Sequence, residues 1–338
     1  MNEIFCISRT DSIGDVVLTL PMVGYLKSRF PKAKIIFLGR NYTKPIIEMC
    51  GVVDEVILFD QIEEKSTKEL ASFFQSKEIT HFIHVFPVKK IAKAAKLAKI
   101  NHRIGTSHRL FHLTTCNERI NFTRRNSELH ESQLNFHLLK TMGLKFIPSI
   151  EEVVQYLDCL VSRKEFDKSR FGIDSRRPVV ILHPKSKGSA VEWGIPNFIQ
   201  LIEFLKPYPV EIIVSGTEEE SNSFRSLIPK AENVKDISGK LTLVEFIDLI
   251  ASSNALVAAS TGPLHIAGIL GLHAVGLFCP KRPIHPQRWK PLGSKATYFV
   301  KNEHCESCTK GKECLCIQNI SPELVGKYLI ETLTIITS

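Results

Sequence analysis

A chain of 338 residues is longer than one hydrophobic core usually grows, and division into two domains of about 150 residues each is the natural expectation. Apolar residues make up 43% of it and charged residues 23%, which excludes a disordered or fibrous protein. The formal net charge of +9 points to an acidic partner, whether a nucleotide, an anionic glycolipid, a membrane surface or a nucleic acid, without choosing among them.

The chain opens on "IFCIS" (4–8), an apolar strand that runs into a polar turn containing Gly14. Asp15 then heads a run of apolar residues, where exposed N–H groups and the helix dipole favour an anion. Asp15 is therefore either a helix-opening carboxylate or a reactive one, and Asp11, four residues earlier, reads as a cap of the turn. Pro21 would fall inside a helix begun at Asp15, against the carbonyl of Val17, so a kink or a restart at Pro21 is predicted. The run is only strand-length and is flanked by Glu3 and Arg9, so no secretory signal is expected and a cytoplasmic location is.

"KIIFLG" (34–39), "EVILFD" (55–60) and "HFIHVF" (81–86) continue as strands. "VKKIAKAAKLAKI" follows with Ile91, Ala94, Ala95 and Ala98 on one helical face and lysines on the other. Such β-α-β alternation implies an α/β fold with a parallel sheet covered by helices on both faces. Lys93, Lys96 and Lys99 read as a solvated helix face. The arginines beside "RIGT" and in "NFTRRNSELHESQ" (Arg103, Arg109, Arg124 and Arg125) suit bidentate contact with phosphate or carboxylate.

The pattern changes between about residues 146 and 178, where charged segments carry no strand. This places an N-terminal domain at 1–155 and a linker at 156–177. A second alternating series, "VVILHP" (179–184), "VEIIVSG" (210–216), "ALVAAS" (255–260) and "HAVGLFC" (273–279), makes a second doubly wound domain at 178–320. The window from Ala255 to Phe278 is broken by Pro263, His265, His273 and glycines, so it reads as strand, loop, helix and strand, not a membrane span. The last helix, "SPELVGKYLIETL", takes Ser321 as N-cap and Pro322 at its first position. It is expected, with the tail 321–338, to pack back toward the N-terminal domain.

Open parallel sheets bind ligands beyond the carboxyl ends of strands where strand order reverses, so two such domains are expected to face one another across a cleft. In "AASTGPLHIAGILG" a strand ends, Ser260, Thr261 and Gly262 turn the chain, and Pro263 sits in the first helical turn. The bare helix start suits a diphosphate, with His265 able to donate; a plain strand-to-helix junction is the alternative. "HPKSKGSAVEWG" offers Lys185, Lys187, Gly188 and Ser189 as a second phosphate loop or a solvated basic one. "CPKRPIHPQRWKPLG" either covers a base or ribose or forms a rigid surface loop.

Five of nine cysteines (Cys6, Cys50, Cys116, Cys159 and Cys279) stand singly beside apolar segments and read as small core residues. Cys305, Cys308, Cys314 and Cys316 lie in "CESCTKGKECLC", a C-x2-C-x5-C-x-C spacing. Four thiolates this close can close a tetrahedral metal site; free thiols or a local disulfide are the other readings.

"SIGDVVLTLP", "STGPLHIAGILG" with "VGLF" after it, and the Lys/Gly loop ending in Trp193 together resemble the ADP-heptose-dependent heptosyltransferases of glycosyltransferase family 9, which build the inner core of bacterial lipopolysaccharide. The resemblance spans nearly the whole chain. It implies a GT-B architecture, with the acceptor held by the N-terminal domain and the nucleotide sugar by the C-terminal one. It also implies an inverting reaction with no cofactor or required metal.

Carried over by position, Asp15 matches the proposed base, and Thr261, Gly262 and His265 match the diphosphate-binding helix start. Lys185, Lys187, Gly188 and Ser260 complete the donor set. Many relatives have Asp where Ser260 stands, to help hold the heptose, and Lys where Val191 stands, for which Lys187 is a substitute. The implied partners are ADP-heptose and an anionic lipid-linked saccharide held by Arg103, Arg109, Arg124 and Arg125, with peripheral contact at the cytoplasmic membrane face and no nucleic acid. Two other readings stay open: a GT-B glycosyltransferase or epimerase using another nucleotide sugar, and a basic nucleic-acid-binding protein with a C-terminal zinc element. The second lacks aromatic residues interleaved with its basic ones.

Overall fold

The computed structural model describes residues 3–124, 127–161, 163–302, 304–310, 312 and 314–334. The chain forms two compact units, Met1–Ser162 and Arg163–Ser338.

The first unit is built on β1 (Ile4–Ser8), β2 (Lys34–Gly39), β3 (Glu55–Leu58), β4 (His81–His84), β5 (His102–Thr106) and β6 (Glu118–Ile120). All pairs are parallel and the order is β3-β2-β1-β4-β5-β6. β1 is central, and Phe5, Cys6 and Ile7 are buried among Ile36, Phe37 and Phe82. Strands covered on both faces need apolar residues at successive positions, which is why "IFCIS" and "KIIFLG" are legible as strands. On the Lys89–Leu97 helix, Ile91, Ala94 and Ala95 are buried and Lys93 and Lys96 exposed, as the periodicity predicts.

After β1 the chain forms a short helix, Ile13–Val17, and restarts as Leu20–Arg29. Pro21 falls in the first turn of the restarted helix, where its missing N–H costs nothing. Restart, not kink, is the outcome. On that second helix a Cβ at Gly24 would stand 2.1 Å from the Tyr156 carbonyl oxygen, so glycine alone admits the Tyr156–Cys159 turn. The segment 156–177 is thus divided between the units. Its start packs on the first, while Arg163 pairs with Asp248 at 2.7 Å and the Phe166 N–H donates to Ser252 Oγ at 3.1 Å within the second.

The second unit carries β7 (Val179–His183), β8 (Glu211–Val214), β9 (Val234–Asp236), β10 (Ala255–Ala259), β11 (His273–Phe278) and β12 (Thr297–Val300). The order β12-β11-β10-β7-β8-β9, again wholly parallel, repeats the winding of the first sheet. Strand order reverses between β1 and β4 in one unit and between β7 and β10 in the other, and these are the places where such sheets bind ligands.

The Pro322–Thr332 helix starts with Ser321 Oγ accepting the Leu324 N–H, as its sequence signals predict. Its apolar face packs within the second unit. Val325 and Leu329 join a core with Trp193 and Phe198, and a Cβ at Gly326 would meet the Phe204 ring at 2.3 Å. A small residue at the crossing is what lets the helix close on Ile195–Leu205. No helix among the described residues is long and apolar enough to cross a membrane.

Candidate active site

At the carboxyl end of β1 the chain turns through Arg9, Thr10, Asp11 and Ser12 into the Ile13–Val17 helix. Arg9 is 3% exposed and is the hub of the site. Its Nε donates to Asp11 Oδ1 at 2.7 Å, Nη1 donates to Asn135 Oδ1 at 3.3 Å and to Glu131 Oε1 at 3.4 Å, and Nη2 donates to Asp15 Oδ1. The other Asp15 oxygen accepts from Ser12 Oγ. A guanidinium serves here because its five N–H donors, spread over a rigid planar fork, reach acceptors on several sides at once, whereas an ammonium offers three donors from a single atom.

Glu131 is fully buried and also accepts from Arg124 Nε at 2.9 Å, while Arg124 Nη2 reaches Asn135 Oδ1 at 2.9 Å. Asn135 Nδ2 in turn donates to the Leu18 carbonyl at 3.1 Å and to Thr19 Oγ1 at 3.3 Å, tying the network to the junction where the first helix ends and the second begins. Three carboxylates thus share two arginines. Glu131 is buried, whereas the Asp15 side chain keeps 17% exposure and Asp11 21%. Burial pushes the Asp11 carboxyl above its ordinary value against the pull of Arg9. Asp11, expected to cap the turn, is a partner of Arg9, and the N-cap position of the helix that follows belongs to Ser12.

Beside this turn, His84 ends β4 opposite Ser8. Its ring is buried with neither nitrogen hydrogen-bonded among the described residues, and burial, with His112 and Arg103 adding, depresses its pKa to about 3. It is neutral in the folded chain.

In the second unit, β10 ends at Ala259 and the Gly262–Ile269 helix begins with Thr261 as N-cap and Pro263 in the first turn. Among the described residues no side chain caps it, and Thr261 Oγ1 is buried without a partner. The first-turn N–H groups therefore have no side-chain acceptor among these residues, the condition under which a helix start binds an anion. His265 is 2% exposed and its ring lies 6.2 Å from that of Trp289, so it is packed, not surface-borne. A Cβ at Gly268 would meet the Leu292 carbonyl oxygen at 2.4 Å, which fixes the helix against the loop that follows β11.

The loop after β7 separates its two lysines. Lys185 Nζ is paired with Glu192 Oε2 at 2.5 Å, and Glu192 Oε1 accepts from the Ser186 N–H at 3.0 Å. Lys187 makes no ion pair among the described residues; it and Gly188 take φ of 48° and 78° at an exposed tip. The left-handed pair needs a glycine at 188, where a Cβ would meet nothing but would be strained by the backbone. His183, at the end of β7, is held neutral by burial, with a pKa near 4, and shares a hydrogen bond of 3.0 Å with Ser215 Oγ.

Residues 90–317 match the family model of glycosyltransferase family 9 (heptosyltransferase), more than half of the chain. The chain belongs to glycosyltransferase family 9. Lipooligosaccharide heptosyltransferase 2 of Haemophilus influenzae is 24% identical over 302 residues, covering 84% of this chain and 85% of that protein. Two solved structures share the fold over nearly the full length of both chains. The Escherichia coli ADP-heptose lps heptosyltransferase II superposes with a TM-score of 0.76 at 19% identity, covering 98% of each chain. The E. coli heptosyltransferase WaaC with ADP-2-deoxy-2-fluoro heptose gives 0.68 at 14% identity, covering 97% of this chain and 99% of that one. The fold is GT-B, two parallel six-stranded sheets flanked by helices, and the family member is a glycosyltransferase enzyme.

In this family member the predicted residues fall into distinct environments. Asp15 and Arg124 meet in one network through Arg9 and Glu131. Arg109 lies exposed just beyond β5. Arg103 is within β5, and its Nε and Nη1 donate to the carbonyls of Thr115 and Ile100, so it braces the backbone. Arg125 lies outside the described residues. Ser260, Thr261, Gly262 and His265 cluster at one helix start.

The sequence reading did not assign Arg9, Glu131, Asn135 or Glu192. Arg9 is adjacent to the recognised motif, but its partners Glu131 and Asn135 are more than 120 residues away and no local spacing reveals them.

Proposed function

We propose that the protein is an inverting heptosyltransferase that moves heptose from ADP-heptose to a lipopolysaccharide inner-core acceptor, with Asp15 as the base. The observation that carries the reading is the Asp15 carboxylate: partly exposed at the switch point of the first sheet, and oriented by donors from both Arg9 and Ser12. Each carboxylate oxygen has two lone pairs, so a lone pair remains to accept the acceptor's hydroxyl proton while the protein's donors hold the group still. As that proton leaves, the acceptor oxygen forms its bond to the anomeric carbon. The bond to the diphosphate oxygen breaks on the opposite face, which inverts the configuration.

Negative charge then develops on the departing ADP. The uncapped N–H groups at Gly262–Ile269 and the Lys187 ammonium are suited to receive it, because oriented donors cost little reorganisation as the charge develops. Lys185, paired with Glu192, is the weaker candidate for that duty. Arg124 and Arg109 suit the anionic acceptor, and contact with the cytoplasmic membrane face follows if that acceptor is lipid-borne.

Support for ADP-heptose comes from the family match and from a similar structure described with ADP-2-deoxy-2-fluoro heptose. A second reading keeps the fold and changes the sugar, because Ser260 replaces the acidic residue that many relatives use toward the heptose. The test is ADP release from ADP-heptose with truncated lipopolysaccharide acceptors, run with a panel of other nucleotide sugars and with Asp15→Asn. The reading expects turnover with ADP-heptose and a loss of about 10²–10⁴-fold in the variant. Near-normal turnover of Asp15→Asn removes the base, and release only from a uridine or guanosine sugar removes the donor.

A further inference from the structure

The cysteine-rich segment lies outside the residues assigned above to sugar transfer, yet its geometry is specific. The four sulfurs of Cys305, Cys308, Cys314 and Cys316 lie within 4.8 Å of one another. Cys305 and Cys314 are 3.3 Å apart at sulfur, and Cys314 and Cys316 3.0 Å. A tetrahedron of metal–sulfur bonds of about 2.3 Å has sulfur–sulfur edges of about 3.8 Å, so these sulfurs already sit near the corners such an ion requires.

Cys308 and Cys316 are 2% and 8% exposed and belong to the apolar core of the second unit, while Cys305 and Cys314 pack at its margin. The Cys316 backbone N–H approaches Cys314 Sγ at 3.4 Å, a contact that steadies a thiolate ligand. Among the described residues no Asp, Glu or His joins the group, so the donor set they offer is four sulfurs, the number a closed tetrahedral site takes. That is a structural donor set, not a catalytic one.

We propose that Cys305, Cys308, Cys314 and Cys316 bind one thiophilic divalent ion, zinc or iron(II), as a closed tetrathiolate. Binding converts four thiols to four thiolates and releases four protons for one metal ion, with no change of oxidation state. The site stands immediately before the turn that the Trp193 loop grips. Trp193 Nε1 donates to the Ile320 carbonyl at 3.0 Å and Asn197 Nδ2 to that of Gln318 at 2.8 Å. The ion therefore fastens the chain between β12 and the Pro322–Thr332 helix onto the segment that carries Lys185 and Lys187. Because a metal bound only by the folded chain stabilises it by mass action, its removal lowers thermal stability.

The experiment uses the full chain purified under reducing conditions without chelator. Metal analysis should return about one equivalent of zinc plus iron per chain, as a closed four-coordinate site requires. A colourless protein identifies zinc, and visible thiolate-to-iron absorption after air oxidation identifies iron. A mercurial reagent should release the metal as the thiols are titrated, and the metal-free chain should melt at lower temperature. Cys308→Ser and Cys314→Ser should lose the metal, whereas Cys116→Ser should keep it. Should the serine variants fail to fold, cobalt added to the metal-free wild type gives the same answer through the intense visible bands of a tetrahedral cobalt thiolate. Metal far below one equivalent with no cobalt bands, or a disulfide among the four cysteines in non-reducing peptide maps, overturns the proposal.

Discussion

Arg9→Met removes the hub of the site without removing the proposed base. The guanidinium is buried and touches Asp11, Asp15, Glu131 and Asn135. Breaking a buried ion pair from one side costs about 3–5 kcal/mol, because a charge is left without its partner. Here Glu131 keeps Arg124 at 2.9 Å, and Asp11 and Asp15 are partly exposed and can be hydrated. The low end, about 3 kcal/mol, therefore applies. For a unit of this size it corresponds to a fall of roughly 6–12 °C in the melting of the first unit.

Activity should fall as well. With Arg9 absent, Ser12 Oγ is the one donor left on the Asp15 carboxylate among the described residues, and a misplacement of about 1 Å is worth about 10²-fold in rate. The measurements are urea or thermal unfolding of the full chain followed by near-UV circular dichroism, and ADP release under saturating donor. Stability unchanged within about 0.5 kcal/mol, with wild-type turnover, refutes the assignment of Arg9 as the group that holds the site together. Lost stability with wild-type turnover refutes its role in orienting Asp15.

The two lysines of the β7 loop should separate in binding. Lys187→Ala should raise the donor KM about tenfold, equivalent to about 1.4 kcal/mol, whereas Lys185→Ala should act mainly through the lost Glu192 pair and lower stability. Competition by ADP distinguishes them, and identical effects reject the distinction. Stability should also depend on pH through buried neutral histidines. His84 and His183 have folded pKa values near 3 and 4, below the ordinary unfolded value of about 6.5. Between those limits the unfolded chain binds more protons, so stability falls as pH drops below about 6.5, by up to about 1.4 kcal/mol per pH unit for each histidine, and the loss ends below the folded pKa. Urea midpoints across this window should fall less steeply in His84→Phe than in wild type; parallel curves reject the contribution of His84.

The central strands were legible because β1, β2, β7 and β10 are buried on both faces and written as continuous apolar runs. β5, β6, β9 and β12 were not. "HRIGT", "ERI", "VKD" and "TYFV" are short, mixed in polarity and at or next to a sheet edge, where one face is only partly covered and the pattern loses its contrast. The cysteines show the same division. The four-cysteine spacing was readable, but Cys50 and Cys159, read as isolated core residues, bring their sulfurs to 3.2 Å from 109 positions apart.

What the sequence determined by itself is what local physics enforces. A proline in a helix interior costs about 3 kcal/mol, so an interruption near Pro21 was legible and the chain restarts at Leu20; Ser321 caps the last helix; and the Ser-Thr-Gly-Pro turn opens a helix whose N–H groups, among the described residues, have no side-chain cap. These outcomes depend on a few neighbouring residues. Tertiary structure alone decided which charges are spent and which remain. Glu131 and Asn135 come to Arg9 from the far end of the unit, Glu192 takes Lys185 and leaves Lys187 at the loop tip, and carbonyls take Arg103. A side chain's chemistry follows from the partners that folding brings within hydrogen-bond reach, and those partners are set by the packing of the whole unit.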